Sequence, residues 1–408
     1  MLGVATLRRE VARFPRAYWV LWTGMLVNRA GAFVLPFLML YFTEARGLSE
    51  DRAGLVWSLF GAGSIVATMI GGQLADRWGR RPTMIVSLVG MAGALGALAA
   101  AEGLALIALA TFGLGLLGEL YRPAVSATVA DLVPPANRGR AYGHLYWAHN
   151  LGFAIAPVVG AALVGTVGYQ GLFAGDALTA LVCAAVIVFA VPESRPVEAS
   201  AAGGSPIFRA TALADGVFVV FLGSAFLTGL LMVQLGTVLP LLFESSGVDA
   251  VGYGRIIALN GAIVVVVQPL LAGHVVAWPR TPTLVLGTLL FTAGFVLHGF
   301  VSSVPGHIVG VAIWSVGEVI VIPLSATVVA DLASLSHRGR YQGAYAMAWG
   351  FALLAGPIVG TAVLARGAAS GWALLVGAAG LVAALGHLVL GPRRRARELL
   401  AVETTAAR

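Results

Sequence analysis

The chain has 408 residues, of which 59 % are hydrophobic and 11 % charged, with a formal net charge of +7. A soluble domain carries about 25 % charged residues, so these cannot coat a water-exposed surface, and the composition belongs in a membrane. The single cysteine, Cys183, excludes an internal disulfide framework and a Cys-rich metal centre. All 25 basic residues are Arg, and the positive balance is to be read loop by loop, not as an affinity for nucleic acid.

Arg8, Arg9, Arg13 and Arg16 precede an apolar run from Tyr18 to Phe42. The run is too long for a signal-peptide core and has no small-residue cleavage site, so it reads as the first membrane span. About 20 apolar residues cross the hydrocarbon core. On that measure the chain is an all-α membrane protein with twelve transmembrane helices, at 18–42, 52–74, 82–101, 104–132, 141–167, 171–191, 213–243, 251–277, 283–301, 305–332, 341–365 and 370–390. They form two pseudo-symmetric six-helix bundles, 1–191 and 213–392, joined by a cytoplasmic linker at 192–212 and followed by a basic tail at 393–408. With both termini on one side, that side collects 19 Arg and the other four. This asymmetry puts the termini in the cytoplasm, in a bacterial plasma membrane. The tail cluster Arg393, Arg394, Arg395 and Arg397 serves that topology and attracts anionic lipid.

Between spans 2 and 3 stands Gly72-Gln73-Leu74-Ala75-Asp76-Arg77-Trp78-Gly79-Arg80-Arg81-Pro82-Thr83. It closely resembles the signature loop of the major facilitator superfamily, G-x-L-a-D-r-x-G-r-k, with Arg81 in place of the usual Lys. The resemblance extends over nearly the whole chain through its twelve spans, two halves and central linker. It implies transport by alternating access, with spans 1, 4, 7 and 10 lining a central cavity. In physical terms, Gly72 permits close helix approach. Asp76 can accept from helix N-termini or Arg forks. Arg77, Arg80 and Arg81 face acidic lipid heads or Asp131. Such a cluster can latch the halves in one state and release them in the other. A positive loop serving topology alone would need neither Asp76 nor the glycines.

A charge at the bilayer centre costs about 2.5–3.5 kcal/mol. Four positions bear that cost: Arg29 in span 1, Glu119 and Arg122 in span 4, and Glu318 in span 10. Glu119 and Arg122 share a helix face. They make either a structural ion pair or a site where Glu119 carries a proton or a substrate cation and Arg122 tunes it. Arg29 has no acid nearby in sequence and must find Glu119, Glu318 or an anionic ligand. Glu318 has no basic neighbour on its own helix and, with Glu119, is a candidate proton carrier. Asn28, Tyr121, His149, Asn150, Gln234, Asn260 and Gln268 supply either cavity hydrogen bonds or buried structural ones. Structural or lipid-facing roles are expected for His298 and His387, and Asp176 is expected to cap a helix or face water near the outer end of span 6.

In span 5, Gly152-x-x-x-Ala156-Pro157-x-x-Gly160-Ala161 is similar to the superfamily's antiporter motif, with Ala at two glycine positions. Small residues around Pro157 let the helix bend and pack against a partner helix expected in the other half. Against export stands span 1. Asn28-Arg29 and the run Leu38-Met39-Leu40-Tyr41-Phe42 loosely resemble proton-coupled peptide transporters, but Asn28 replaces their coupling Glu and two tyrosines are missing.

The second half repeats the first at an offset of about 200 residues: Ala130-Asp131-Leu132 and Arg138-Gly139-Arg140 return as Ala330-Asp331-Leu332 and Arg338-Gly339-Arg340. Gly356-Pro357-x-x-Gly360 repeats the span-5 motif. The second copy of the signature loop, Gly273 to Arg280, has no acid matching Asp76, leaving Asp331 and Arg340 for a smaller latch. The resemblance implies a secondary transporter that is not an enzyme and needs no cofactor beyond the transmembrane proton gradient. It is expected to work as a monomer with a small-molecule substrate, protons and membrane lipids as partners, and no nucleic acid. Proton-driven export of amphipathic compounds, as in multidrug efflux, is the leading expectation. Import of small peptides or organic anions comes second and lipid export third.

Overall fold

A computed structural model describes residues 11–195, 214–275, 278–332, 338–367 and 369–406. Most of the linker and residues 276–277 of the second loop copy lie outside the described residues. The described residues form helices and turns with no strand. In chain order the helices are α1 (Arg16–Ala30), α2 (Val34–Leu40), α3 (Glu50–Arg77), α4 (Arg80–Ala100), α5 (Leu104–Glu119), α6 (Tyr121–Leu132) and α7 (Pro135–Ala190). These are followed by α8 (Gly216–Val233), α9 (Val238–Ser245), α10 (Ala250–Val275), α11 (Arg280–His298), α12 (Val304–Leu332), α13 (Arg338–Ala365) and α14 (Ala369–Ala406).

Among the described residues, eleven stretches are long and apolar enough to cross a bilayer. One of them, Asn137–Ala190, has 54 residues. A straight helix of that length would run about 80 Å, more than twice the hydrocarbon core. Gly168, at φ 69° and ψ −170°, breaks α7 into two arms that each cross. Twelve crossings result, as expected.

Three spans read as continuous are interrupted, and each interruption precedes a proline at the third position of the next helix. Span 1 stops at Ala30 and restarts at Val34, ahead of Pro36. Span 4 has its junction at Leu120, ahead of Pro123. Span 7 passes through a 3-10 turn at Gln234–Gly236 and restarts at Val238, ahead of Pro240. Proline has no N–H for the carbonyl four residues back and fits only the first turn of a helix, so the chain starts a new helix there. Span 12 runs on as α14 well past the expected end at 390.

The chain divides into two compact units, residues 1–38 with 59–204, and residues 39–58 with 205–408. In the first, a core of Tyr18, Leu21, Met84, Leu88, Tyr121, Val125 and Val129 joins spans 1, 3 and 4. In the second, Phe218, Phe221, Leu284, Val328 and Tyr341 play the same part.

Candidate functional site

The first unit gathers the charges of spans 1 and 4 around the span-1 break. Arg29 is the penultimate residue of α1, and residues 31–33 bridge to α2. The first free amide of α2, on Val34, donates to Asp176 Oδ2 at 3.2 Å, so a carboxylate from the second arm of α7 caps the new helix. A Cβ on Gly31 would fall 2.0 Å from Thr179 Oγ1, one turn along that arm. Only glycine admits this approach. Arg122 Nε stands 3.4 Å from Glu119 Oε2, with the Arg122 side chain 56 % exposed and Glu119 16 %. Asn28, Arg29, Glu119 and Asp176 line one cavity of about 30 Å³. Arg29 lies within electrostatic reach of Glu119, Arg122, Tyr121 and Asp176.

Tyr121 is buried beside this cluster, its hydroxyl 4.0 Å from Cys183 Sγ, which in turn donates to Gly24 O at 3.4 Å. His149 and Asn150 are half-buried on the first arm of α7, and His149 is within electrostatic reach of Arg29 and Arg122. Gly152 and Gly160 of the span-5 motif press on span 1 of their own half. Added Cβ atoms would meet Arg29 Cβ at 2.5 Å and Phe37 Cε2 at 2.7 Å. An aromatic ladder, which neither hydropathy nor the motif marks, joins the same two helices. Trp22 stacks on Trp147 with centroids 6.1 Å apart, and Trp19 on His144 at 5.8 Å.

In the second unit Glu318 is not alone. Asn260 Nδ2 of α10 donates to its Oε2 at 2.7 Å and to Ser315 Oγ at 3.1 Å. No sequence signal links residues 58 apart on two spans. Gln234 is buried at the span-7 break. Its Nε2 donates to Gly356 O at 3.1 Å, and Trp372 Nε1 donates to its Oε1 at 3.2 Å. His298 is buried, its Nδ1 3.0 Å from that of His307, and His387 is buried beside Phe221, so neither faces lipid.

At the signature loop, Arg80 is the hub. Its Nη1 donates to Asp76 Oδ1 at 2.7 Å and to Ala75 O at 2.8 Å, and its Nε to Asp131 Oδ2 at 3.2 Å. Glu193, at the end of span 6, accepts from the Arg80 and Arg81 amides at 3.0 and 3.1 Å and so caps α4. Gly79, at φ 115°, is required here, because its Cβ would fall 2.4 Å from Glu193 Oε2. Ser194 Oγ donates to Asp131 Oδ2 at 3.1 Å, and Arg195 Nη1 donates to Arg77 O. Glu193 is exposed at the surface; partial desolvation works against its charge, but the amides of Arg195, Arg80, Arg81 and Ser194 outweigh it and hold the carboxyl below its ordinary value. Gly72 meets nothing within 4 Å; the close approach is one residue earlier, Gly71 against Pro123 at 3.0 Å. Arg140 is exposed. In the second half Asp331 pairs with Arg280, while Arg340 is half-buried.

Proteins of known family resemble this chain over most of its length. The chain is 29 % identical over 333 residues to a multidrug resistance protein, MdtH, of Aeromonas hydrophila, covering 80 % of this chain and 82 % of the relative. It is 24 % identical over 365 residues to a Na(+), Li(+), K(+)/H(+) antiporter of Planococcus maritimus, covering 81 % and 85 %. Among solved structures, a POT family transporter in complex with 5-aminolevulinic acid superposes with a TM-score of 0.78 at 16 % identity, over 93 % of this chain and 97 % of that one. The family model described as Major Facilitator Superfamily matches residues 21–357 and 270–406. With its twelve crossings and its signature loop folded around Arg80, the chain belongs to the Major Facilitator Superfamily and is a multi-pass membrane transporter, not an enzyme.

Proposed function

We propose that this transporter exports amphipathic small molecules in exchange for protons, working as a monomer with both termini in the cytoplasm of a bacterial plasma membrane. The observation that carries the reading is Glu318: a carboxyl inside a membrane span that accepts a hydrogen bond from the neutral amide of Asn260. Such a group can gain and lose a proton without breaking an ion pair. Glu119 is the matching acid of the first half, balanced by Arg122 and Arg29. The aromatic ladder of Trp19, Trp22 and Trp147 offers ring faces to an apolar or cationic solute. Relatives named as a multidrug resistance protein and as a proton antiporter favour export over import.

The test is ethidium accumulation in cells expressing the protein. Expression is expected to lower accumulation, and an uncoupler to abolish the difference. The second reading, uptake of organic anions, is favoured by Arg29, whose Nε has no hydrogen-bond partner. It would show as inward concentration of an organic acid by liposomes with acid outside, and no effect on ethidium.

A further inference from the structure

We propose that Asp176 is a proton-binding residue of the first half, and that the cavity beside it holds a water joining its carboxylate to Arg29 and Asn28. The inference rests on the proton-coupled reading above and adds to it an acid on a span outside the four expected to line the transport path.

Asp176 is the buried member of the chain's seven aspartates, 1 % exposed. Its two oxygens have different surroundings. Oδ2 accepts the Val34 amide, while Oδ1 has no hydrogen-bond partner. Two donors nearby are in the same condition, Asn28 Nδ2 and Arg29 Nε. All three residues, together with Glu119, line the cavity of about 30 Å³. A space of this size with one acceptor and two donors suits a single water. Such a water would accept from Asn28 Nδ2 and Arg29 Nε and donate to Asp176 Oδ1.

The charged and titratable groups around this point come from three other spans: Arg29 from span 1; Glu119, Tyr121 and Arg122 from span 4; and His149 from span 5. A proton arriving at Oδ1 neutralises Asp176 but leaves Oδ2 free to go on accepting from Val34. The break in span 1 therefore keeps its cap while Arg29 loses one of its two counter-charges. Proton uptake at Asp176 thus hands the Arg29 charge over to Glu119, at the break in the helix that carries Arg29.

The second half supplies the comparison. There span 12 meets the break in span 7 through a neutral bond, Trp372 Nε1 to Gln234 Oε1. Tying a sixth span to a broken first span needs no carboxylate, so the charge of Asp176 serves something beyond the scaffold.

The experiment is an infrared titration of the purified full chain from alkaline to acid pH. It reads the high-frequency carbonyl band of a protonated acid in apolar surroundings, which is distinct from that of acids in water. Wild type should develop such a band. Part of it should shift when the aspartates carry a ¹³C carboxyl, that part should vanish in Asp176→Asn, and it should persist in Glu318→Gln. The absence of any ¹³C-sensitive high-frequency band, or its survival in Asp176→Asn, overturns the proposal. The labelling arm uses wild-type protein and stands even if the variant fails to fold. Ethidium export separates the two readings. The band without proton-driven export leaves this site standing and removes the export reading, whereas export without the band removes this site alone.

Discussion

Gly152 is seated on Arg29: a Cβ built on the glycine would lie 2.5 Å from the Arg29 Cβ and 2.8 Å from the Ala30 amide nitrogen. The span-5 motif and the span-1 charge are therefore one packing unit. The second half repeats the arrangement at its own broken span, where added Cβ atoms on Gly356 and Gly360 would meet Val233 Cγ1 and Gln234 Oε1, both at 2.1 Å. A motif that performs the same task inside each half is scaffold first, which is why it takes part in the repeat.

The Gly152 contact sets the first prediction. Gly152→Ala forces span 1 or span 5 to yield, and overpacking of this kind costs about 1–3 kcal/mol. The thermal midpoint of the purified protein should fall, and export should weaken because the Arg29 backbone has moved. Gly139→Ala is the control, since an added Cβ there meets nothing within 4 Å. Equal midpoints for the two variants would show that the helices part without cost.

Glu193 should govern the acid stability of the signature loop. Its carboxyl is held below its ordinary value, so the stabilisation is fully present above the unfolded carboxylate value, 4.5, and is lost as pH falls through the lower folded one. Glu193→Gln removes a charged cap from the start of α4, at a cost of about 1 kcal/mol, the low side of the capping range because the carboxyl is exposed. Unfolding midpoints of wild type and variant should differ at neutral pH and converge on acidification. A constant difference across the range would mean that the charge does not act as the cap.

The spans and the Arg80 loop were legible because hydropathy and a dense motif report them directly. The breaks at 31–33, Leu120 and 234–237 were not, because the apolar run continues through them and only the prolines at 36, 123 and 240 mark the change. Glu193 and Ser194 looked like the start of a linker, and Asp176 like an interfacial acid, because nothing in a single chain tells which helix terminus a distant carboxylate will meet. The repeat carries one further relationship. Arg80 and Asp131 are 51 residues apart, and so are Arg280 and Asp331.

That equal spacing gives two versions of one ion pair in different surroundings. Arg80 and Asp131 are 9 % and 18 % exposed, and Arg280 and Asp331 are 31 % and 42 %. Removing one partner of a buried pair strands a charge and costs about 3–5 kcal/mol at full burial, whereas exposed pairs contribute about 0–1 kcal/mol. Asp131→Asn should therefore lower the unfolding midpoint clearly more than Asp331→Asn. The reverse order would mean that Asp76 alone is sufficient to balance Arg80.

Glu318 and Asn260 separate charge from scaffold in the second half. In Glu318→Gln the amide oxygen can still accept from Asn260 Nδ2, so the span 8 to span 10 contact survives while the ionisable group is gone. In Asn260→Ala the carboxyl remains, but it and Ser315 Oγ both lose their donor. A buried polar group left without its partner costs about 1–3 kcal/mol. Glu318→Gln should thus keep the wild-type unfolding midpoint and lose the dependence of ethidium export on the proton gradient. Asn260→Ala should lower the midpoint and keep that dependence, shifted along the pH axis because the hydrogen bond to the carboxylate is missing. If Glu318→Gln exports with an unaltered pH profile, the carboxyl is there to anchor Asn260, and the coupling proton resides on acids of the first half.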